Sequence, residues 1–342
     1  MNFRSDNVTG AAPEILAALM TANEGTAASY GADAISARLK ERFSTLFERE
    51  VAVFPVAIGT AANALAIAAV TPPWGVVYCH TESHIQVDEC GAPEFFTGGA
   101  KLMPLEGEDG KITPAAVEAV LVEPGIVHSP QPACISISQA TEAGTVYTVE
   151  EVGALGALAR RRGLSLHVDG ARFANALVAS NASPAALTWR AGVDVLSFGA
   201  TKNGALAAEA IIVFDPGRAA DLAYRRKRGG HLFSKMRFLS VQLEAYLADG
   251  LWLRNARHAN AMAARLAEGL AATPGAKLIH PVQANEIFIA LPEPVIATLE
   301  SGGVGFYRWG GPGEGILRLV TAFNTRVEDV DAVIALARRA SR

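Results

Sequence analysis

The 342-residue chain is short of several things, and each shortage narrows what it can be. It has three cysteines, Cys79, Cys90 and Cys134, without metal-knot spacing and without the even number a disulfide framework needs. Cys79 and Cys134 fall inside apolar strand-like runs, so small core residues in a reducing cytoplasm are expected. Charge is also sparse: 19% of residues are charged and the net charge is −4. That leaves no electrostatic case for nucleic acid or an anionic membrane as partner. The basic run Arg225-Arg226-Lys227-Arg228, followed by Gly229-Gly230, reads as the solvated end of a helix. No apolar stretch approaches the ~20 residues of a membrane span. Residues 1–7 lack a basic region followed by an apolar one, so no secretory leader is expected. No G-x-G-x-x-G follows a strand-like run, which counts against a nicotinamide oxidoreductase. No His, Cys, Asp or Glu cluster has metal-ligand spacing, and no metal is expected. Low-complexity segments and internal repeats are missing too.

What remains is a globular α/β pattern. Half the residues are apolar, and the length suits one large domain with a smaller companion. Strand-like runs at 51–55, 75–80, 101–105, 133–139, 165–170, 193–199 and 210–214 alternate with helical patterns such as 114–122 and 149–162. The expectation is a seven-stranded, mostly parallel sheet flanked by helices. After 249–250 the pattern changes to an Ala-rich helix (252–271), strand-like runs at 277–280, 287–291 and 316–321, and helices at 295–300 and 327–339. We therefore expect a large domain over 1–250, including an N-terminal arm, and a small α+β domain over 251–342.

Chemistry concentrates between 164 and 204. Leu-Ser-Leu-His-Val-Asp-Gly-Ala-Arg-Phe (164–173) and Val-Asp-Val-Leu-Ser-Phe-Gly-Ala-Thr-Lys-Asn-Gly (193–204) are apolar runs ending in polar, glycine-broken clusters. Ligands of open α/β sheets sit at the carboxyl ends of the strands, where Asp169, Arg172 and Lys202 would converge. An acid and a lysine from neighbouring strands suit pyridoxal phosphate: the lysine amine holds the aldehyde as a Schiff base and the acid keeps the ring nitrogen protonated. The plainer alternative makes Asp169 a turn cap and Lys202 a solvated loop lysine. Ile58-Gly59-Thr60 opens an Ala-rich helix whose unpaired N–H groups make a natural phosphate site, with Gly59 and Thr60 as ligands.

His-Val-Asp-Gly-Ala-Arg-Phe (167–173) and Gly-Ala-Thr-Lys-Asn-Gly (199–204) together resemble the low-specificity L-threonine aldolases. These are fold-type I pyridoxal-phosphate enzymes of the β-eliminating lyase group. The resemblance runs from Phe-Arg-Ser-Asp-Asn (3–7) to Arg-Leu-Val-Thr-Ala-Phe-Asn-Thr (318–325), nearly the whole chain. It implies cleavage of L-threonine, L-allo-threonine or related L-β-hydroxy-α-amino acids such as phenylserine into glycine and an aldehyde. It also implies a homodimer or homotetramer with sites at the subunit interface.

Residue by residue, the resemblance implies that His84 stacks on the pyridine ring with Glu89 beside it, and that His128 reaches the substrate hydroxyl. Ser5 with Arg172 and Arg318 would hold the substrate carboxylate, and Tyr30 would lie on the substrate side. The related stretch often has a second acid where this chain has Ala32. Thr201, beside Lys202, joins the cofactor ligands, and Lys227 and Lys235 would approach the phosphate from the partner subunit. By its residues alone, Arg318 in an apolar strand either pairs with an acid or clamps a carboxylate. Either His84 or His128 could take the hydroxyl proton. Rival readings are β-elimination or transamination with the same cofactor, or cofactor binding without turnover.

Overall fold

In a computed structural model of the chain, residues 1–311 and 313–340 are described. Residues 312, 341 and 342, which the expected second domain includes, lie outside them. The large sheet is built from β1 (Ala52–Val56), β2 (Gly75–His80), β3 (Lys101–Leu105), β4 (Gln131–Ser138), β5 (Ser165–Gly170), β6 (Val195–Gly199) and β7 (Glu209–Val213). Their spatial order is β1-β7-β6-β5-β4-β2-β3. Neighbours from β6 to β3 pair parallel, and only β7 runs against its neighbours β1 and β6. The seven expected strands are present, each within two residues of the expected limits. Strands β2, β5, β6 and β7 are buried at every residue, because helices cover both faces. Proline occurs in the edge strands β1 and β3 (Pro55, Pro104) and beside the register shift at the start of β4 (Pro132), the positions where strands tolerate a missing N–H.

The covering helices carry their own start and stop signals. Helix Val149–Arg162 opens on a reciprocal Thr148–Glu151 capping box and closes on Gly163 in the left-handed region. On one face of the sheet an aromatic cluster joins Phe43, Phe47, Phe173, Phe198, Tyr246 and Trp252, with Phe43 and Phe198 edge-to-face at 5.0 Å.

A second sheet has the order β10-β11-β9-β8, formed by β8 (Lys277–Leu278), β9 (Glu286–Ala290), β10 (Tyr307–Trp309) and β11 (Ile316–Val320), all antiparallel. β10 has no counterpart in the sequence reading. It has only three residues, all exposed, too few to set a strand pattern in the sequence. Helix Leu251–Ala271 serves both parts: Leu251, Trp252 and Ala256 pack into the large core, whereas Met262, Leu266 and Leu270 pack into the second. Phe3 is also buried in the second core, and its neighbour Asn2 bridges to Gly305. Among the described residues no helix is long and apolar enough to cross a membrane.

Candidate active site

The carboxyl ends of β4, β5 and β6 open onto one cleft. Gly199 ends β6, where a Cβ would lie 2.4 Å from the Ala171 carbonyl oxygen, so only glycine lets the chain leaving β5 pass this close. The next residues, Thr201–Asn203, form a single 3₁₀ turn carrying Lys202. That turn is pinned from several sides. Asn203 Nδ2 donates to Tyr246 Oη at 2.7 Å and to the Trp252 carbonyl at 2.8 Å. Asn255 Nδ2 donates to the Asn203 carbonyl at 2.9 Å, and Ala200 N donates to Glu209 Oε2 at 2.8 Å. Thr201 Oγ1 accepts from Ala208 N at 3.2 Å. Gly204 closes the turn at φ 116°, where a Cβ would meet Asn255 and Ala12. The lysine thus stands on a fixed base.

Asp169 faces Lys202 across the cleft with its carboxylate held by two neutral donors. Ala171 N donates to Oδ1 at 2.9 Å, and Asn63 Nδ2 donates to Oδ2 at 2.7 Å. Asn63 Nδ2 also donates to Glu89 Oε1 at 2.8 Å, and the same Glu89 oxygen lies 2.8 Å from His84 Nδ1. The bond to Glu89 raises the His84 imidazole above its ordinary value, and burial raises the Glu89 carboxyl. The backbone of His84 is fixed too: its N–H donates to Glu142 Oε1 at 2.8 Å, and Ser138 Oγ donates to that oxygen at 2.7 Å. Burial pushes the Glu142 carboxyl up to about 7.

At the mouth of the cleft lies a second charged cluster. Arg172 forks onto Asp6 with Nε–Oδ2 2.8 Å and Nη2–Oδ1 3.0 Å, and its Nη1 lies 3.0 Å from Glu286 Oε2. The other Glu286 oxygen pairs with Arg318 Nη2. Burial works to raise the Asp6 carboxyl, but Arg172 and Lys202 hold it below its usual value. Ser5 caps the short turn Asp6–Val8, its Oγ accepting from Asn7 N at 3.1 Å. The pairing reading of Arg318 is therefore present, with Glu286 as its acid. The guanidinium also lies 5.7 Å from the Trp309 ring and 6.0 Å from that of Phe288.

Other expected residues stand elsewhere. His128 is not brought to this cleft. It belongs to the segment leading into β4 and lies with Trp74 and Lys101 at the amino ends of β2, β3 and β4. In a parallel sheet that is the end opposite the site. Tyr30, Lys227 and Lys235 share a separate exposed patch: Lys227 Nζ sits 4.6 Å from the Tyr30 ring centroid, and Tyr30 N donates to the Ser234 carbonyl. Sequence reasoning passed over Asn63 and Glu286. Asn63 had left a signal, as the polar interruption of an apolar helix; Glu286, flanking an apolar strand, had left a weaker one.

The cleft fits pyridoxal phosphate by the chemistry of its donors. Asp169 can accept from a ring nitrogen, Lys202 supplies the amine, and His84 borders the same cleft. Helix Gly59–Val70 begins beside them with no side-chain cap on its first N–H groups, and the space over Gly59 is open, with no atom within 4 Å of where a Cβ would stand. A wider groove of about 680 Å³ between helices Leu251–Ala271 and Val327–Ala340 is spanned by the Arg265–Asp331 pair. It brings together no comparable set of acid, base and amine.

Comparison with known proteins agrees with this geometry. The profile of the family described as Beta-eliminating lyase matches residues 2–293. The low specificity L-threonine aldolase of Pseudomonas aeruginosa is 45% identical over 336 residues, covering 98% of this chain and 96% of that protein. The enzyme of the same name from a Pseudomonas sp. is 45% identical over 311 residues, covering 91% and 90%. The solved threonine aldolase of Leishmania major superposes with a TM-score of 0.94 at 30% identity, covering 100% of this chain and 99% of that one. The chain belongs to the β-eliminating lyase family, alongside the low-specificity L-threonine aldolases.

Proposed function

We propose that the protein cleaves the Cα–Cβ bond of L-threonine, L-allo-threonine and related L-β-hydroxy-α-amino acids, giving glycine and an aldehyde, with pyridoxal phosphate as cofactor. The observation that carries this reading is the convergence of Lys202, Asp169 and His84 in one cleft beside the Arg172–Arg318 cluster. When bound, the cofactor supplies an electrophilic aldehyde carbon and an electron-withdrawing ring. Lys202 would hold it through the aldehyde, Asp169 would face its ring nitrogen, and Gly59, Thr60 and Thr201 would take its phosphate. Ser5, Arg172 and Arg318 would bind the substrate carboxylate; doing so requires the two arginines to share their donors with Asp6 and Glu286. A carboxylate fixed there orients the bond to be broken, which is what selects carbon–carbon cleavage over transamination. His84, whose proton affinity is raised by Glu89, accepts the β-hydroxyl proton. His128 has no part in that step within its own subunit.

In the same reading the enzyme is a homodimer or homotetramer in the cytoplasm, and Tyr30, Lys227 and Lys235 act at the site of the neighbouring subunit. Residues 1–250 and 251–342 would form the two domains, with helix Leu251–Ala271 shared between the two cores and Phe3 of the N-terminal arm packed into the second. Incubating the protein and pyridoxal phosphate with L-threonine tests the reaction. Acetaldehyde and glycine in equal amounts are expected. Ammonia with a keto acid would mean β-elimination, an amino-group acceptor product would mean transamination, and no product would leave cofactor binding alone.

A further inference from the structure

We propose that Asn63 is a positioning residue: its one amide group holds the buried carboxylates Glu89 and Asp169 apart and couples the charge of His84 to the acid that faces the cofactor. The inference rests on the reading above, in which Asp169 meets the ring nitrogen and His84 is the base.

The geometry is specific. Asn63 Nδ2 carries two hydrogens, and each has its own carboxylate, Asp169 Oδ2 at 2.7 Å and Glu89 Oε1 at 2.8 Å. Both acceptors lack hydrogens when ionised, so the nitrogen must be the atom facing them. A line of hydrogen bonds thus runs His84–Glu89–Asn63–Asp169. The cost of the arrangement shows that packing does not explain it. Asn63 is 2% exposed in a helix turn of alanine, leucine and isoleucine, and its Oδ1 is buried with no partner among the described residues. Alanine or leucine would suit the helix better and bury no unpaired oxygen. Remove the amide, and two carboxylates face each other with no donor between them, a setting that drives one to take a proton.

Other charged groups face the pair from every side: His84 on the turn His84–Val87, Lys202 on its turn, Glu142 beyond β4, Arg172 after β5, and His167 two residues before Asp169. Substituting Asn63 changes none of these, so a changed pH response reports on the amide.

The test compares wild type with Asn63→Leu, the isosteric Asn63→Asp, Glu89→Gln alone, and Asn63→Leu combined with Glu89→Gln. One readout uses the cofactor-free protein, as melting temperature from pH 5 to 9. The other uses the loaded enzyme, as the acid limb of kcat/KM for L-threonine. We expect Asn63→Leu to move the acid limb up by about one pH unit and to lose melting temperature progressively as pH rises. Asn63→Asp should do so more strongly, having added a third carboxylate. In the double variant the Glu89→Gln side chain supplies a neutral donor, so both readouts should return toward wild type. Asn63→Leu or Asn63→Asp with a wild-type limb and a pH-independent melting deficit would overturn the proposal, as would a double variant showing only the sum of the singles. If wild type fails to cleave threonine, the functional reading falls, and the cofactor-free melting series still decides the role of Asn63.

Discussion

Lys202 stands on a turn whose flanking residues are tied to Tyr246, Trp252, Asn255 and Glu209. Lys202→Ala removes only the amine and leaves those ties intact. It is expected to abolish the visible absorbance that wild type acquires with pyridoxal phosphate and to cut turnover by at least ~10³-fold. An unchanged spectrum would dismiss the lysine assignment. Glu209 makes a separate prediction about pH. Burial raises its carboxyl to about 7 from the usual 4.5. A carboxyl raised in the folded state adds stability that is complete below pH 4.5 and lost as pH climbs through 7. Glu209→Gln keeps an oxygen for Ala200 N without that titration. Relative to wild type, its melting temperature should therefore improve from pH 5 to pH 8 and level off above.

At the scale of elements, the large sheet shows how far sequence alone can be read and where it stops. Strands of an α/β sheet are short apolar runs of about four to eight residues, so β1 to β7 were legible, and so were helices Val149–Arg162 and Leu251–Ala271. The convergence of Asp169, Arg172 and Lys202 followed from the rule that ligands meet the carboxyl ends. The same rule, applied to a residue just ahead of a strand, puts His128 at the other end of the sheet, against what resemblance alone implied. Ion pairs could not be read: Arg172 and Asp6 are 166 residues apart, and only the closed fold shows that both arginines already hold acids. His167 was equally hidden. It sits mid-sheet on β5, with Nδ1 2.8 Å from Ser136 Oγ on β4 and Nε2 3.0 Å from Ser197 Oγ on β6, so one ring links three strands. Burial lowers it to about 4 from 6.5. His167→Ala leaves a cavity and two unpaired hydroxyls, and should cost about 2–4 kcal/mol at pH 7. Because the neutral ring loses its advantage as pH falls from 6.5 to 4, that deficit should narrow in acid, as urea unfolding at each pH would show.

The whole molecule places the basic patch of Lys227 and Lys235 outside its own cleft, next to Tyr30. If these residues serve the neighbouring site, two defective subunits can repair each other. Lys202→Ala and Lys227→Ala chains, unfolded together in equal amounts and refolded, should recover about a quarter of wild-type sites through mixed dimers; activity no greater than that of the separate variants would place Lys227 outside the shared site. The N-terminal arm has a different consequence. Phe3 N donates to the Gly305 carbonyl, Val320 N donates to the Phe3 carbonyl, and Asp6 three residues later grips Arg172. On the ribosome, residue 3 emerges long before its partners at 305 and 320. At about 5–20 residues per second, the arm spends tens of seconds without its strand partners while the seven-stranded sheet can already assemble. The part of the cleft built on the Asp6–Arg172 pair is thus completed late in synthesis, well after the part built on Asp169 and Lys202.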